Sequence, residues 1–139
     1  MKYLLDTCVI SELVSKRPNS KVVEFVDSLD DDDVYLSVIT IGEIIKGIEK
    51  LARSKRKQKL HTWLREDLLA RFSGKIIPID NDVITEWGSL TARLELAGTS
   101  IPAMDSLIAA TVLTYAFALV TRNVNDFEGS SVEIVNPWE

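Results

Sequence analysis

The chain has 139 residues, 46% of them hydrophobic, with one cysteine, one histidine and a formal net charge of -5. That length and apolar content suit one compact domain with its own core and exclude a disordered chain. A lone cysteine excludes an intrachain disulfide and makes a reducing cytoplasm the natural compartment, while the acidic balance argues against nucleic-acid binding through bulk charge.

The first strand-like run is Tyr3–Leu5, and Asp6 ends it. An acid so early leaves no signal-peptide layout. Asn19 or Ser20 caps a helix with Val22, Val23, Phe25, Val26 and Leu29 on one side, and the acidic run 30–33 is a solvated turn into a second strand, 34–36. Thr40 opens a helix carrying Ile41, Ile44, Ile45, Ile48 and Leu51, which puts Glu43 in its first turn. Leu60, Leu64, Leu68 and Phe72 mark another helix, followed by a third strand at 75–79. Asn81 caps a helix with Val83, Trp87, Leu90, Leu94 and Ala97, closed by Gly98. Ser100 and Pro102 start a helix with Asp105 in its first turn. The apolar stretch 107–120 is too short to cross a bilayer and reads as a buried helix running into a fourth strand, 119–121. Asp126 follows by a short loop, and 133–135 is a fifth strand. Strands alternating with helices predict an α/β three-layer sandwich: a central, mostly parallel five-stranded sheet flanked by helices, with residues 1–139 as a single domain.

Ligands of such sheets bind beyond the carboxyl ends of the strands. Asp6, Glu43, Asp105 and Asp126 all belong to that edge in this layout. Like charges crowded there repel, and their burial is costly unless a cation offsets it. Oxygen donors suit a hard ion such as Mg²⁺ or Mn²⁺, which polarises a phosphodiester and activates water. No cysteine and histidine set with zinc spacing exists. Each acid taken singly is also an ordinary helix cap or first-turn residue favoured by the helix dipole.

These residues carry a family resemblance. The segment from Leu4 to Glu12, with Asp6-Thr7-Cys8 at its centre, resembles the opening of PIN domains, especially those of VapC and FitB-type toxins. Leu36 to Ile44, Ile101 to Thr111 and Leu119 to Phe127 are similar to the family's second, third and fourth motifs, and Asn136-Pro137-Trp138 is similar to the FitB ending. The resemblance implies a metal-dependent endoribonuclease with Asp6, Glu43, Asp105 and Asp126 as catalytic metal ligands. It implies Thr7, Thr121 and Asn123 as polar residues that orient the carboxylates or bound waters. It also implies a homodimer neutralised by a small antitoxin, with promoter DNA reached only through that antitoxin. Where the family usually has asparagine, this chain has Cys8, a far weaker hydrogen-bonding group. Less well ordered carboxylates and weaker activity are the consequence expected, unless Cys8 is simply a small residue packed under the site.

Helical geometry adds a basic stripe. If the Thr40 helix runs on far enough, Glu43, Lys46, Lys50, Arg53 and Lys57 share one sector opposite Ile44, Ile48 and Leu51. Such a stripe is either a solvated face or a track for the RNA backbone that offsets the net acidity. His61 lies away from the motifs and is a surface or interface residue, and Trp63, Trp87 and Trp138 belong to the core or a dimer interface. Two alternatives compete: a receiver-type phosphoacceptor domain, which would show an acidic pair closing the first strand and a late-strand lysine, and a catalytically weak interaction module of the same family.

Overall fold

The computed structural model describes residues 1–139. Five strands, β1 (Tyr3–Leu5), β2 (Val34–Ser37), β3 (Ile76–Ile77), β4 (Ala118–Val120) and β5 (Ile134–Val135), form one sheet in the order β3-β2-β1-β4-β5. Every pairing is parallel, with Tyr3 opposite both Val34 and Ala118. The helices α1 (Thr7–Val14), α2 (Ser20–Ser28), α3 (Val38–Glu49), α4 (Lys55–Thr62), α5 (Leu69–Arg71), α6 (Asn81–Leu96) and α7 (Ala103–Tyr115) make the connections.

The strands are apolar on both faces, as a sheet covered on both sides requires. Leu5, Leu36 and Val120 join one core with Val22, Val26, Ile44, Ile48 and Phe72. Their neighbours Leu4 and Leu119, with Ile77, join a second core with Leu90, Leu94, Ile108 and Val112. Alternation along the strand therefore sends successive side chains into opposite layers, which is the three-layer sandwich expected.

Local capping moves several boundaries from their sequence positions. Ser37, not Thr40, opens α3, its hydroxyl accepting from the Ile39 amide at 3.0 Å. Glu43 therefore lies in the second turn of α3 rather than the first. Asp80, not Asn81, caps α6, accepting from the Val83 amide at 3.0 Å while Tyr115 donates to its other oxygen at 3.0 Å. Asn19 caps α2 as expected. Pro102 stands just ahead of α7, and Asp105 is in its first turn.

The largest difference is the end of α3. The helix stops at Glu49, and Lys57 folds back so that its ammonium donates to the Glu49 and Leu51 carbonyls at 3.2 and 3.0 Å. Ser54 then caps α4 through the Lys57 amide at 3.1 Å. A cation satisfying terminal carbonyls is a favourable C-terminal stop. The stripe of Lys46, Lys50, Arg53 and Lys57 on one continuous helix is thereby corrected: only Lys46 lies within α3, Lys50 is its C-cap, Arg53 lies in the link, and Lys57 is spent on the stop. From α4 the chain continues through a π-helical turn, Trp63–Leu68, into α5, so the expected 60–72 segment is helical but not a uniform α-helix. No helix is long and apolar enough to cross a membrane.

Candidate active site

The strand order reverses direction between β1 and β4, since the chain goes from β1 outward to β2 and β3 and returns on the other side of β1. A crevice forms at such a switch point beyond the strand ends. Asp6 directly follows β1 and Thr121 directly follows β4, so these two residues stand on either side of it. Glu43 comes from α3 after β2, Asp105 from the start of α7, and Asp126 from the 3-10 turn Val124–Phe127 after β4.

Asp6 is buried, at 5% exposure, yet carries a carboxylate. Its Oδ1 accepts from the Thr7 amide at 2.8 Å, capping α1, and its Oδ2 accepts from the Thr121 hydroxyl at 2.8 Å. One bond to each oxygen fixes the group and leaves further lone pairs on both. The helix-cap role and the ligand role are thus compatible in one residue. Thr7 holds the next acid: its hydroxyl donates to Glu43 Oε1 at 2.6 Å, with the buried Thr40 hydroxyl 3.2 Å away. Thr7 and Thr121 each hydrogen-bond one of the carboxylates. Asn123 enters through its backbone, donating its amide to Thr121 Oγ1 at 3.0 Å, and its side chain caps nothing.

The electrostatics mark the four acids as one group. Burial pushes the Asp6 carboxyl above the usual range, and the charges of Glu43 and Asp126 push it the same way against its hydrogen bonds. The half-buried Asp105 is also raised, by burial first and then by Asp6, Asp126 and Glu43. The protein's ion pairs lie elsewhere, between His61 and Glu49 at 3.1 Å and between Arg71 and Asp31 at 3.6 Å. No lysine or arginine therefore neutralises the acidic group. Nor do any three carboxylates, as they stand, form a set that could hold a metal ion. The tighter gathering expected from sequence is thus only partly present. The chemistry of the donors fits a hard divalent cation: all oxygen, anionic and without a competing cation.

Cys8 is half-buried beneath this group, with its sulfur 3.4 Å from Thr121 Oγ1. Burial pushes its thiol up, which keeps it protonated and a poor nucleophile. Asp6 nevertheless accepts a hydrogen bond at each oxygen, from the Thr7 amide and the Thr121 hydroxyl. Thr40 escaped sequence reasoning because it was assigned a cap. The signal was its place three residues before Glu43, on the same side of a helix.

Residues 3–128 match the family model described as PIN domain. The chain belongs to the PIN-domain family. Over 135 residues it is 38% identical to toxin FitB of Neisseria gonorrhoeae, covering 97% of each chain. It is 33% identical over 136 residues to the VapC ribonuclease Y4jK of Sinorhizobium fredii, covering 98% of this chain and 97% of that protein. A crystal structure of FitAcB from Neisseria gonorrhoeae superposes with a TM-score of 0.94 at 38% identity, covering 99% of both chains. Membership in this family displaces the receiver-type alternative. PIN-domain nucleases in general depend on divalent metal.

The tryptophans of this PIN domain are packing residues. Trp63 and Trp138 lie against the first core and Trp87 against the second. Trp87 donates to Ser106 at 2.8 Å, and Trp138 donates to Glu12 at 3.2 Å while Arg122 sits 4.7 Å above its ring. His61 is engaged with Glu49 on the surface, away from the acids.

Proposed function

We propose that the chain, as one PIN domain over residues 1–139, is a metal-dependent endoribonuclease and the toxin of a type II toxin–antitoxin pair. The observation that carries this reading is the uncompensated group of Asp6, Glu43, Asp105 and Asp126 at the switch point of the sheet. These four residues would hold Mg²⁺ or Mn²⁺ and do the catalytic work. Such an ion, when bound, polarises the phosphodiester and lowers the pKa of an attacking water. The chain's own part is to keep the carboxylates in place: Thr121 fixes Asp6, Thr7 fixes Glu43, and the Asn123 amide fixes Thr121. A site built from carboxylates alone repels RNA until a cation enters, so metal binding should precede substrate binding.

The experiment is cleavage of a labelled RNA by the purified chain. Cutting should require Mg²⁺ or Mn²⁺ and stop when EDTA is added in excess. Cutting that continues unchanged in EDTA would sink the metal assignment.

The names of the relatives support the remaining partners. A small antitoxin that covers the acidic crevice, with promoter DNA bound through it, agrees with the toxin and DNA-bound complexes among them; a homodimer and a cytoplasmic setting complete the reading on the family resemblance alone. Sedimentation at micromolar concentration should give twice the 15.6 kDa chain mass. Adding the antitoxin should abolish cleavage. A sedimenting monomer would refute the dimer without touching the nuclease.

A further inference from the structure

Beside Glu43, on the outer side of α3, lies a cavity of about 450 Å³. Its apolar lining is Val38, Ile39 and Met104, and Lys46 and Lys50 line it together with Glu43. Val38 is 37% exposed and Met104 53%, so this apolar surface is uncovered in the chain itself. Neither lysine takes part in an ion pair. Apolar surface, unpaired cations and a candidate catalytic carboxylate thus share one opening.

Gly42 and Gly47 line the same cavity. A Cβ on either would meet nothing within 4 Å, so the fold does not need a glycine there. Glycine is the poorest helix former after proline. What the two positions provide is bare backbone along one wall, where a flat group can approach closely.

We propose that this cavity receives one unpaired nucleotide of the RNA. Its base lies on Val38, Ile39 and Met104, its flanking phosphates are held by Lys46 and Lys50, and the strand enters the acidic site past Glu43. A methionine and branched aliphatics offer a base an apolar platform, with a favourable sulfur–aromatic contact. The bases of a duplex are stacked and paired, so the cavity selects single-stranded RNA. Lys46, in the last turn of α3, and Lys50, its C-cap in helical conformation, are one turn apart and remain neighbours although the longer stripe is broken. The ribonuclease reading supplies only the identity of the ligand. The cavity, its cations and its apolar lining stand without it.

The test measures binding of a fluorescein-labelled single-stranded RNA, and of a duplex of equal length, between 50 and 200 mM salt. It uses the Asp105→Asn variant, so that binding is read without cleavage. The single strand should bind more tightly. Replacing Lys46 and Lys50 together by glutamine should lower the slope of log K against log salt by about 1.4, at about 0.7 per phosphate contact on single strands. Arg53→Gln should leave the slope unchanged. Gly42→Leu adds a side chain where there is open space, so it should weaken binding at least about tenfold without lowering Tm. Unchanged binding in Gly42→Leu, or an unchanged slope in the double glutamine variant, overturns the proposal. So does either substitution converting a dimer to a monomer, because the cavity is then a protein interface. Metal-dependent cleavage that persists in both variants removes the cavity and leaves the nuclease. RNA binding that obeys the cavity in a wild-type chain unable to cut removes the nuclease and leaves the cavity.

Discussion

Asp6→Asn and Asp105→Asn should each reduce RNA cleavage by about 10²–10³-fold or more and, in the same protein without metal, raise its melting temperature. The loss follows from removing an anionic oxygen donor whose charge an acting cation needs, with a magnitude like that of removing one charge-stabilising group from an active site. The gain follows from the sign of the shifts. Both carboxyls sit above their usual range because burial and neighbouring acids penalise the charged form. Between the unfolded and folded values the folded state therefore binds more protons. Stability falls as pH rises through that window, and the deficit is complete only once the pH exceeds the folded value. An asparagine has no charge to penalise. At position 6 it also keeps an oxygen for the Thr7 amide, so the cap of α1 survives. In a domain of this size each 1 kcal/mol moves Tm by about 3–5 °C. Asp6 is buried and should show the larger gain, while solvent screens the half-buried Asp105. Calorimetry from pH 4 to 7.5 reads the effect directly: wild type should lose more stability on that rise than either variant. Added Mg²⁺ should stabilise wild type more than the variants. Variants that melt lower than wild type at neutral pH would show that the acids are structural partners rather than an uncompensated charge group.

The same residues show how much was legible in the sequence. Apolar runs on both sheet faces identified the strands at Tyr3–Leu5 and 119–121; the structure shifts the second by one residue to Ala118–Val120, so that Asp6 and Thr121 each directly follow a strand. The edge shared by the acids followed from strand–helix alternation alone. Boundaries that depend on a single hydroxyl or carboxylate were not legible. Ser37 and Thr40 are both competent caps, and the β-branched pair Val38-Ile39 between them suits a strand as well as a helix. The break after Glu49 has no glycine or proline to announce it. It rests on Lys57 reaching back across the link, a tertiary contact that a run of basic, helix-favouring residues conceals. How closely the acids approach one another was equally hidden, because side-chain placement within the crevice does not follow from strand–helix alternation.

Thr121→Val should be the most damaging conservative change in the site, because one buried hydroxyl ties three groups together. Thr121 is fully buried. Its oxygen donates to Asp6 Oδ2 at 2.8 Å, accepts from the Asn123 amide at 3.0 Å and lies 3.4 Å from the Cys8 sulfur. A hydroxyl has one proton, and here it is committed to Asp6, so the Cys8 thiol is the donor of its pair. That assignment agrees with a thiol kept protonated by burial. Valine preserves the shape and removes all three bonds. The Asn123 amide and one Asp6 oxygen are left without their partner, which costs about 1–3 kcal/mol. The Asp6 carboxyl then rises further, since the hydrogen bond that opposed its burial is gone. Cleavage should fall about 10- to 100-fold, the range seen when a residue supporting a metal ligand is removed. Thr121→Ser keeps the hydroxyl and should restore most of both. The deciding measurement is the double change with Asp6→Asn. If the hydroxyl acts by stabilising a charged Asp6, valine should cost clearly less stability in the Asp6→Asn protein than in wild type. An equal cost in both backgrounds would mean that Thr121 merely anchors the Asn123 turn, and that the order of the Asp6 carboxylate comes from the Thr7 amide alone.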